Sequence, residues 1–256
     1  VFASLKGGFI RRALIMLAVG VLLWPLSWLV FLFIKRRASA SLSLVFLIPI
    51  LLINTARAEE EKSLSKIAFG SCIRQDLPQP VWNGINAFSP EALLLLGDNV
   101  YSAGTSMPVL RGAYQKLVSQ PGFQKLSQKS KIFAVWDDND YGMADGGADF
   151  AMREESKRIF LDFFPLPRDP RRSHAGIYFS RLIGPPGQRL QLIFLDTRFF
   201  RSALITGPQH LGTSAAQYLP NRDSSATLLG PEQWAWLAAE LDKEADFRLL
   251  ISSIQV

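Results

Sequence analysis

The segment from Lys131 to Gly147, KIFAVWDDNDYGMADGG, places an apolar run directly before a cluster of acidic residues. The run Ile132 to Val135 is uninterrupted and rich in β-favouring residues, which is typical of a strand buried on both faces. The sequence DDND follows at 137–140. Neighbouring carboxylates are costly to bury unless a cation neutralises them. The pattern therefore indicates a metal site at the C-terminal end of this strand, and a solvated acidic turn is the alternative.

Three other predicted strands also end in residues that can bind a metal. These residues are Cys72 after the strand at 66–69, Asp98 and Tyr101 after the strand at 92–96, and Asp196 after the strand at 189–195. A thiolate, a phenolate and several carboxylates together suit a hard divalent or trivalent metal, and the thiolate favours iron or zinc. For Cys72 by itself, the alternative is a small buried apolar residue. Arg198 has a guanidinium fork that can hold a phosphate oxygen.

The order of predicted elements indicates an α/β fold. Strands and helices alternate in the first part, and two strands joined by GPPG at 184–187 form a predicted hairpin. Pro231 opens a predicted helix with Trp234, Leu237 and Leu241 on one face. The segment 59–256 is long enough for one domain with a sizeable core. We therefore expect layered sheets with helices outside.

Residues 1–58 form a predicted membrane or signal segment. The apolar run 13–34 would be about 33 Å long as a helix, enough to span a bilayer. The shorter run 42–53 lies between basic residues and an Ala56-Arg57-Ala58 sequence, which is the arrangement of a signal peptide cleaved after Ala58. Two uncleaved membrane passes are the alternative. Either arrangement predicts an exported or membrane-anchored domain on the extracytoplasmic side.

The charge of the chain does not indicate a nucleic-acid-binding protein. The net charge is +6, but much of the basic charge flanks the apolar N-terminal runs. Arg168, Arg171 and Arg172 form another basic cluster, which we predict to be a solvated loop. The sequence also contains no helix-turn-helix, zinc-finger or RNP-like signature. We therefore expect no nucleic acid as a specific partner.

Several motifs carry a resemblance to a known family. In chain order they are FGSC, LLLLGDNVY, WDDNDYG, REESKRIFLDF, LDTRFFRS, LGPEQWAWLAAEL and LLISSIQV. Together they resemble the PhoD-like alkaline phosphatase/phosphodiesterase family of the calcineurin-like metallophosphoesterases. The resemblance runs from about Lys66 to the C-terminus. It implies a four-layer α/β/β/α sandwich that hydrolyses phosphate mono- or diesters with iron and calcium, although other divalent metals also suit the site.

The resemblance also implies roles for individual residues. Four positions match iron ligands: Cys72, Asp98, Tyr101 and Asp196. Asp98 would bridge to a second metal, which Asp137 and Asp138 would serve. Arg198 matches a position that contacts phosphate. We expect the Cys72 sulfur to lie roughly 3–5 Å from an Asp98 oxygen, as two ligands of one ion require. We also expect Arg198→Ala to impair turnover without affecting stability, as at a surface position.

Two departures from the family pattern concern the second metal. Asn139 stands where members often have His, and Ala144 stands where they commonly have a ligating Asn. Asn139 or Asp145 could supply the missing donor. The alternative function is a membrane-tethered remnant that binds phosphate or metal without turnover. Val1 is not a methionine and the sequence ends within the family's pattern, so we expect a sandwich that is incomplete at the C-terminus.

Overall fold

The structure, a computed structural model, describes residues 62–102, 104–207 and 218–254. Its strands are β1 (Ile67–Gly70), β2 (Ala92–Leu96), β3 (Lys131–Val135), β4 (Phe179–Ile183), β5 (Leu190–Phe194), β6 (Ile205–Thr206), β7 (Tyr218–Leu219) and β8 (Phe247–Ile251). Its α-helices are α1 (Val81–Phe88), α2 (Met107–Val118), α3 (Pro121–Ser127), α4 (Asp138–Tyr141), α5 (Arg153–Phe163) and α6 (Gly230–Leu241), with a 3₁₀ turn at Pro170–Arg172.

None of the helices in these ranges is long and apolar enough to cross a bilayer. The apolar runs at 13–34 and 42–53, predicted as N-terminal hydrophobic helices, lie outside the described residues.

The first sheet contains three parallel strands in the order β1-β2-β3. Its central strand β2 reads ALLLL and buries four of its five side chains, as expected for a parallel strand covered on both faces of the sheet. The register aligns Ile67 with Ala92, and Ala92 with Lys131. All three strands therefore end at the same edge of the sheet, where the loops carrying the predicted ligands begin.

The second sheet has the order β4-β5-β8, with β4 antiparallel and β8 parallel to β5. The predicted hairpin is thus confirmed, and all five residues of the central strand β5 are buried. Phe133 of the first sheet contacts Phe179 and Phe194 of the second, with ring centroids 6.4 and 5.8 Å apart. These rings belong to one hydrophobic core shared by both sheets. The predicted mixed α/β class is confirmed.

Helix α6 packs with a different face from the one predicted. Trp234 is 53% exposed and Leu241 is 46% exposed, whereas Gln233, Leu237 and Glu240 are buried. The reason is polar: Gln191 of β5 donates to the Glu240 carbonyl at 2.9 Å and to its carboxylate at 3.1 Å. Buried polar groups need partners, so the helix turns its polar side chains towards the sheet.

The arginine cluster after α5 is not a uniformly solvated loop. Arg171 is fully buried, and its Nε and Nη2 atoms donate to the two carboxylate oxygens of Asp169 at 2.8 and 2.7 Å. Its guanidinium also lies 4.9 Å from the centroid of the Phe179 ring. The prediction is therefore wrong for Arg171, because a bidentate carboxylate and an aromatic ring compensate the buried charge.

Glu91, directly before β2 in the first sheet, makes the stability of the fold vary with pH in the acidic range. Its carboxylate accepts hydrogen bonds from Ser65 N at 2.6 Å, Ser65 Oγ at 3.0 Å and Lys66 N at 3.1 Å, which lower its pKa from 4.5 to about 2. A depressed carboxyl pKa stabilises the fold above the unfolded value, and this contribution is lost as pH falls through the folded value.

We therefore expect Glu91→Gln to be less stable than the parent protein above pH 4.5, with the difference vanishing as pH falls towards about 2. Urea unfolding midpoints measured across this interval test the prediction. A difference that does not vary with pH would show that the carboxylate charge is not responsible.

Candidate metal centre

The backbone brings the loops after β1 and β2 together. Cys72 N donates to Gly97 O at 3.2 Å, and Ile73 N donates to Asp98 O at 2.8 Å. Cys72 and Asp98 have φ values of 61° and 49°, in the left-handed region that residues other than glycine seldom occupy. A Cβ on Gly97 would lie 2.7 Å from the Asp137 Cβ. The missing side chain at position 97 thus lets the loops after β2 and β3 approach closely.

Cys72, Asp98 and Tyr101 lie next to one another at this edge. The Cys72 Sγ is 4.0 Å from Asp98 Oδ2, so the predicted distance is confirmed. Burial raises the pKa of Tyr101, as do hydrogen bonds from its phenol to Cys72 and Asp98. Gln75 fixes the Tyr101 backbone, donating to its carbonyl at 2.8 Å and accepting from its N–H at 2.9 Å. Three of the four predicted iron ligands are therefore assembled.

Three carboxylates form the centre of the site. Asp98, Asp137 and Asp138 each contribute one oxygen to a group whose atoms all lie within 4.8 Å of one another. Burial raises the pKa of Asp98, a hydrogen bond with Tyr101 opposes this effect, and repulsion from Asp138 and Asp137 adds to it. A cation among the three would relieve that repulsion. Carboxylate and phenol oxygens beside a thiol therefore fit a metal ion.

Asp140 supports the site, a role that was not predicted for it separately from the DDND cluster. It is fully buried and accepts hydrogen bonds from four donors: Asp137 N at 2.6 Å, Asn99 Nδ2 at 2.6 Å, Asn99 N at 3.1 Å and Asp98 N at 3.2 Å. It therefore joins the loops after β2 and β3. Its signal in the sequence is the spacing from Asp137, because an acidic residue three positions after a helix N-cap can accept from the N-cap amide.

Asn139 lies between two of the three carboxylates. Its Nδ2 donates to Asp98 Oδ2 and to Asp138 Oδ1, both at 3.1 Å. Its backbone N–H also donates to Asp98 Oδ1 at 3.3 Å. The amide group thus partly neutralises the cluster by offering two hydrogens to opposing carboxylates.

Arg198 is bound to the acidic cluster rather than exposed. It is 5% exposed, and its Nε and Nη2 donate to Asp137 Oδ1 at 2.8 and 2.6 Å. Ser253 Oγ donates to the same oxygen at 3.0 Å. The expectation of a surface position is wrong, because the guanidinium is buried against a carboxylate. Its contact with phosphate stays a prediction.

Asp196 is placed differently from the other predicted ligands. It is fully buried, and its oxygens accept from Trp136 Nε1 at 2.9 Å, Ile177 N at 2.9 Å, Arg198 N at 3.0 Å and Phe199 N at 2.9 Å. These four bonds fix the turn that carries Arg198. The group of three carboxylates does not include Asp196, so its role as a metal ligand stays a prediction.

The loop after α4 borders the cluster on the side of Asp138. Asp145 N donates to Asp138 Oδ2 at 2.8 Å, and the Asp145 side chain accepts a hydrogen bond from the Tyr218 hydroxyl. Ala144 is exposed and has no side-chain atom that could bind a metal. The structure therefore connects Asp145 to the cluster through its backbone N–H, and a metal contact by its carboxylate stays a prediction.

The family of the chain follows from a match to residues 68–256. A model of the PhoD-like phosphatase family covers this range, so the chain belongs to the PhoD-like phosphatase family. Among solved structures, the chain is similar to one described as "Structure of PhoD", with a TM-score of 0.59 and 17% sequence identity. At this identity the likeness shows the fold alone. No curated protein gives a significant match.

The similarity to that structure is partial in extent. It covers 76% of this chain and 42% of the solved chain. The chain therefore spans less than half the length of the protein it matches.

Proposed function

We propose that this protein is a metal-dependent hydrolase of phosphate mono- or diesters. The observation that carries the proposal is the group of three carboxylates, Asp98, Asp137 and Asp138, with the Cys72 sulfur 4.0 Å from Asp98. This group lies where three parallel strands end, which is a usual position for sites in α/β folds. Membership of the PhoD-like phosphatase family supports a phosphate-ester substrate.

We further propose which residues hold the metals. Cys72, Asp98 and Tyr101 would hold iron, because a thiolate and a phenolate favour it over calcium. Asp138, with Asp98 as a shared ligand, would hold calcium through oxygen donors. The two ions would supply Lewis acidity towards a phosphoryl oxygen and lower the pKa of water.

The residues of the chain position the substrate. Arg198 uses Nε and Nη2 on Asp137, which fixes the plane of its guanidinium at the cluster. We propose that its remaining N–H groups donate to a phosphate oxygen, since guanidinium groups bind two acceptors in one plane. Asp137 would then orient Arg198 as well as contribute to the second-metal region.

The experiment measures metal content and hydrolysis together. The protein is stripped with a chelator, reloaded with iron and calcium, and assayed with p-nitrophenyl phosphate and bis(p-nitrophenyl) phosphate. We expect turnover that requires metal and is lost in Asp98→Asn. If the protein binds no metal, the proposal fails.

A catalytically impaired remnant is the second candidate, and the exposed Ala144 favours it. A methyl group cannot replace a ligating amide, so a second metal would have one donor fewer than the family pattern implies. This candidate predicts that the protein binds metal or phosphate in the experiment above but hydrolyses neither ester.

Asn139 offers a replacement donor, which leads to a prediction about calcium. Rotating the Asn139 amide by half a turn would break its two hydrogen bonds to Asp98 and Asp138. It would also place Oδ1 beside these carboxylates, where it could bind the same cation as they do. We expect Asn139→Leu to lower calcium affinity about tenfold or more, as measured by titration calorimetry. The exposed Asn83 in α1 provides the control Asn83→Leu, which should bind calcium like the parent. Equal calcium affinity in Asn139→Leu and the parent would show that Asn139 is not a ligand.

We also propose a layer architecture for the domain and a location for the protein. The two packed sheets and their helices are consistent with part of a four-layer α/β/β/α sandwich. The apolar runs of segment 1–58 support export or membrane anchoring, with the domain on the extracytoplasmic side.

A further inference from the structure

Arg201 is a buried cation whose side chain binds a loop rather than a carboxylate. It is 7% exposed, and its Nη2 donates to the carbonyls of Asp145 and Gly146, the latter at 2.9 Å. Its Nε is buried and has no hydrogen-bond partner. An unpaired buried donor is costly. The guanidinium therefore keeps its hydrogen bonds to the two loop carbonyls, although its own Nε–H group stays unpaired.

The Arg201 backbone holds the same loop. Its carbonyl accepts from Ala148 N at 2.8 Å. A Cβ on Gly147 would lie only 2.4 Å from this carbonyl oxygen, so only glycine permits the approach. Arg201 thus forms hydrogen bonds on both sides of Gly147. Its side chain binds the carbonyls of Asp145 and Gly146, and its main-chain carbonyl binds the amide of Ala148.

The loop in turn holds a carboxylate of the metal centre. Asp145 has a φ of 51° and directs its N–H at Asp138 Oδ2, 2.8 Å away. A residue other than glycine keeps a left-handed φ only when its surroundings impose it. The hydrogen bonds from Arg201 to the Asp145 and Gly146 carbonyls contribute to this constraint, together with the bond of 2.7 Å from Gly146 N to Met143 O.

We propose that Arg201 is a positioning residue for the second metal site, acting through the Asp145–Ala148 loop on Asp138. The guanidinium orients the two carbonyls, these fix the Asp145 backbone, and the Asp145 N–H fixes one oxygen of Asp138. The other oxygen of Asp138, Oδ1, then lies on the side of Asp98, where it accepts a hydrogen bond from Asn139 Nδ2. The part of this inference that concerns metal rests on the proposed function, whereas the part that concerns the loop does not.

The first arm of the test uses metal-free protein. Hydrogen exchange of the Asp145, Gly146 and Ala148 amides is measured in chelator for the parent, Arg201→Met and Arg201→Lys. We expect exchange about tenfold faster in Arg201→Met. The increase should be smaller in Arg201→Lys, because lysine keeps the charge but has fewer hydrogen-bond donors. The control is Arg181→Met, because Arg181 is partly exposed and its Nη2 donates to Pro167 O at 3.3 Å, away from this loop.

The second arm measures binding of calcium and iron. We expect Arg201→Met to lose about 10–100-fold in calcium affinity, as outer-shell changes typically do, while iron binding at Cys72 and Asp98 is unchanged. Unchanged loop exchange in Arg201→Met would overturn the proposal. A rise in exchange at amides throughout the protein, with an equal loss of affinity for calcium and iron, would also overturn it. If the parent binds no metal but loop exchange is faster in Arg201→Met than in the parent, the loop depends on Arg201 and the proposed function is refuted instead.

Discussion

Asp140→Ala should lower the affinity of the site for metal by about 10–100-fold and the free energy of unfolding by about 3–5 kcal/mol. Asp140 accepts hydrogen bonds from the N–H groups of Asp98, Asn99 and Asp137. Alanine would leave these buried donors unpaired, and each unpaired group costs about 1–3 kcal/mol. The same change would release the loops after β2 and β3, so the carboxylates of Asp98 and Asp137 would lose their common support.

The measurements are urea unfolding and metal titration on the same preparations. Asp140→Asn should have an intermediate effect, because its amide keeps one acceptor but turns an NH₂ group towards backbone donors. Asp162→Ala is the matched control, since the Asp162 side chain is 47% exposed and lies on α5. If Asp140→Ala loses stability but binds metal normally, Asp140 serves the fold and does not position the ligands.

Arg198→Ala should destabilise the metal-free protein by about 2–3 kcal/mol and the metal-loaded protein by clearly less. The Arg198 side chain is 7% exposed and that of Asp137 is 21% exposed, with 2.6 Å between Nη2 and Oδ1. Breaking a fully buried pair costs about 3–5 kcal/mol, and the partial exposure of Asp137 reduces this figure. Without Arg198, Asp137 would be left beside two other carboxylates, and a bound cation would neutralise them.

The comparison is made by urea unfolding in chelator and in calcium. Arg198→Lys keeps the charge and should restore part of the stability, but not the geometry of the guanidinium. Equal destabilisation with and without calcium would show that Arg198 compensates no charge at the metal centre.

The sequence was sufficient to predict the elements that its local pattern defines. The ALLLL run gave β2 with its bounds, and the acidic residues after apolar strands gave the neighbourhood of Cys72, Asp98 and the DDND turn. The alternation of strands and helices gave the α/β class, and in the structure the parallel pairing of β1, β2 and β3 brings the strand ends to one edge. These predictions needed only periodicity and the chemistry of single residues.

The contacts between distant residues could not be predicted in this way. Nothing near Arg198 in the sequence shows that Asp137, 61 positions away, accepts its hydrogen bonds. Burial of Arg171 likewise depends on a ring from β4 as well as on its neighbour Asp169. The outward position of Trp234 has the same origin, because Gln191 and Glu240 decide which face of α6 meets the sheet. In α6, polar partners thus override the apolar pattern.

The left-handed backbone at Cys72 and Asp98 limits how mutagenesis of this centre can be interpreted. Asparagine tolerates that conformation well, so Asp98→Asn removes the charge without adding backbone strain. Valine or isoleucine would resist it, and their effects would combine backbone strain with the missing ligand. Glycine would relax the backbone and increase the entropy of the unfolded chain. A substitution series at these two positions therefore reports on coordination only when its members share the same backbone preference.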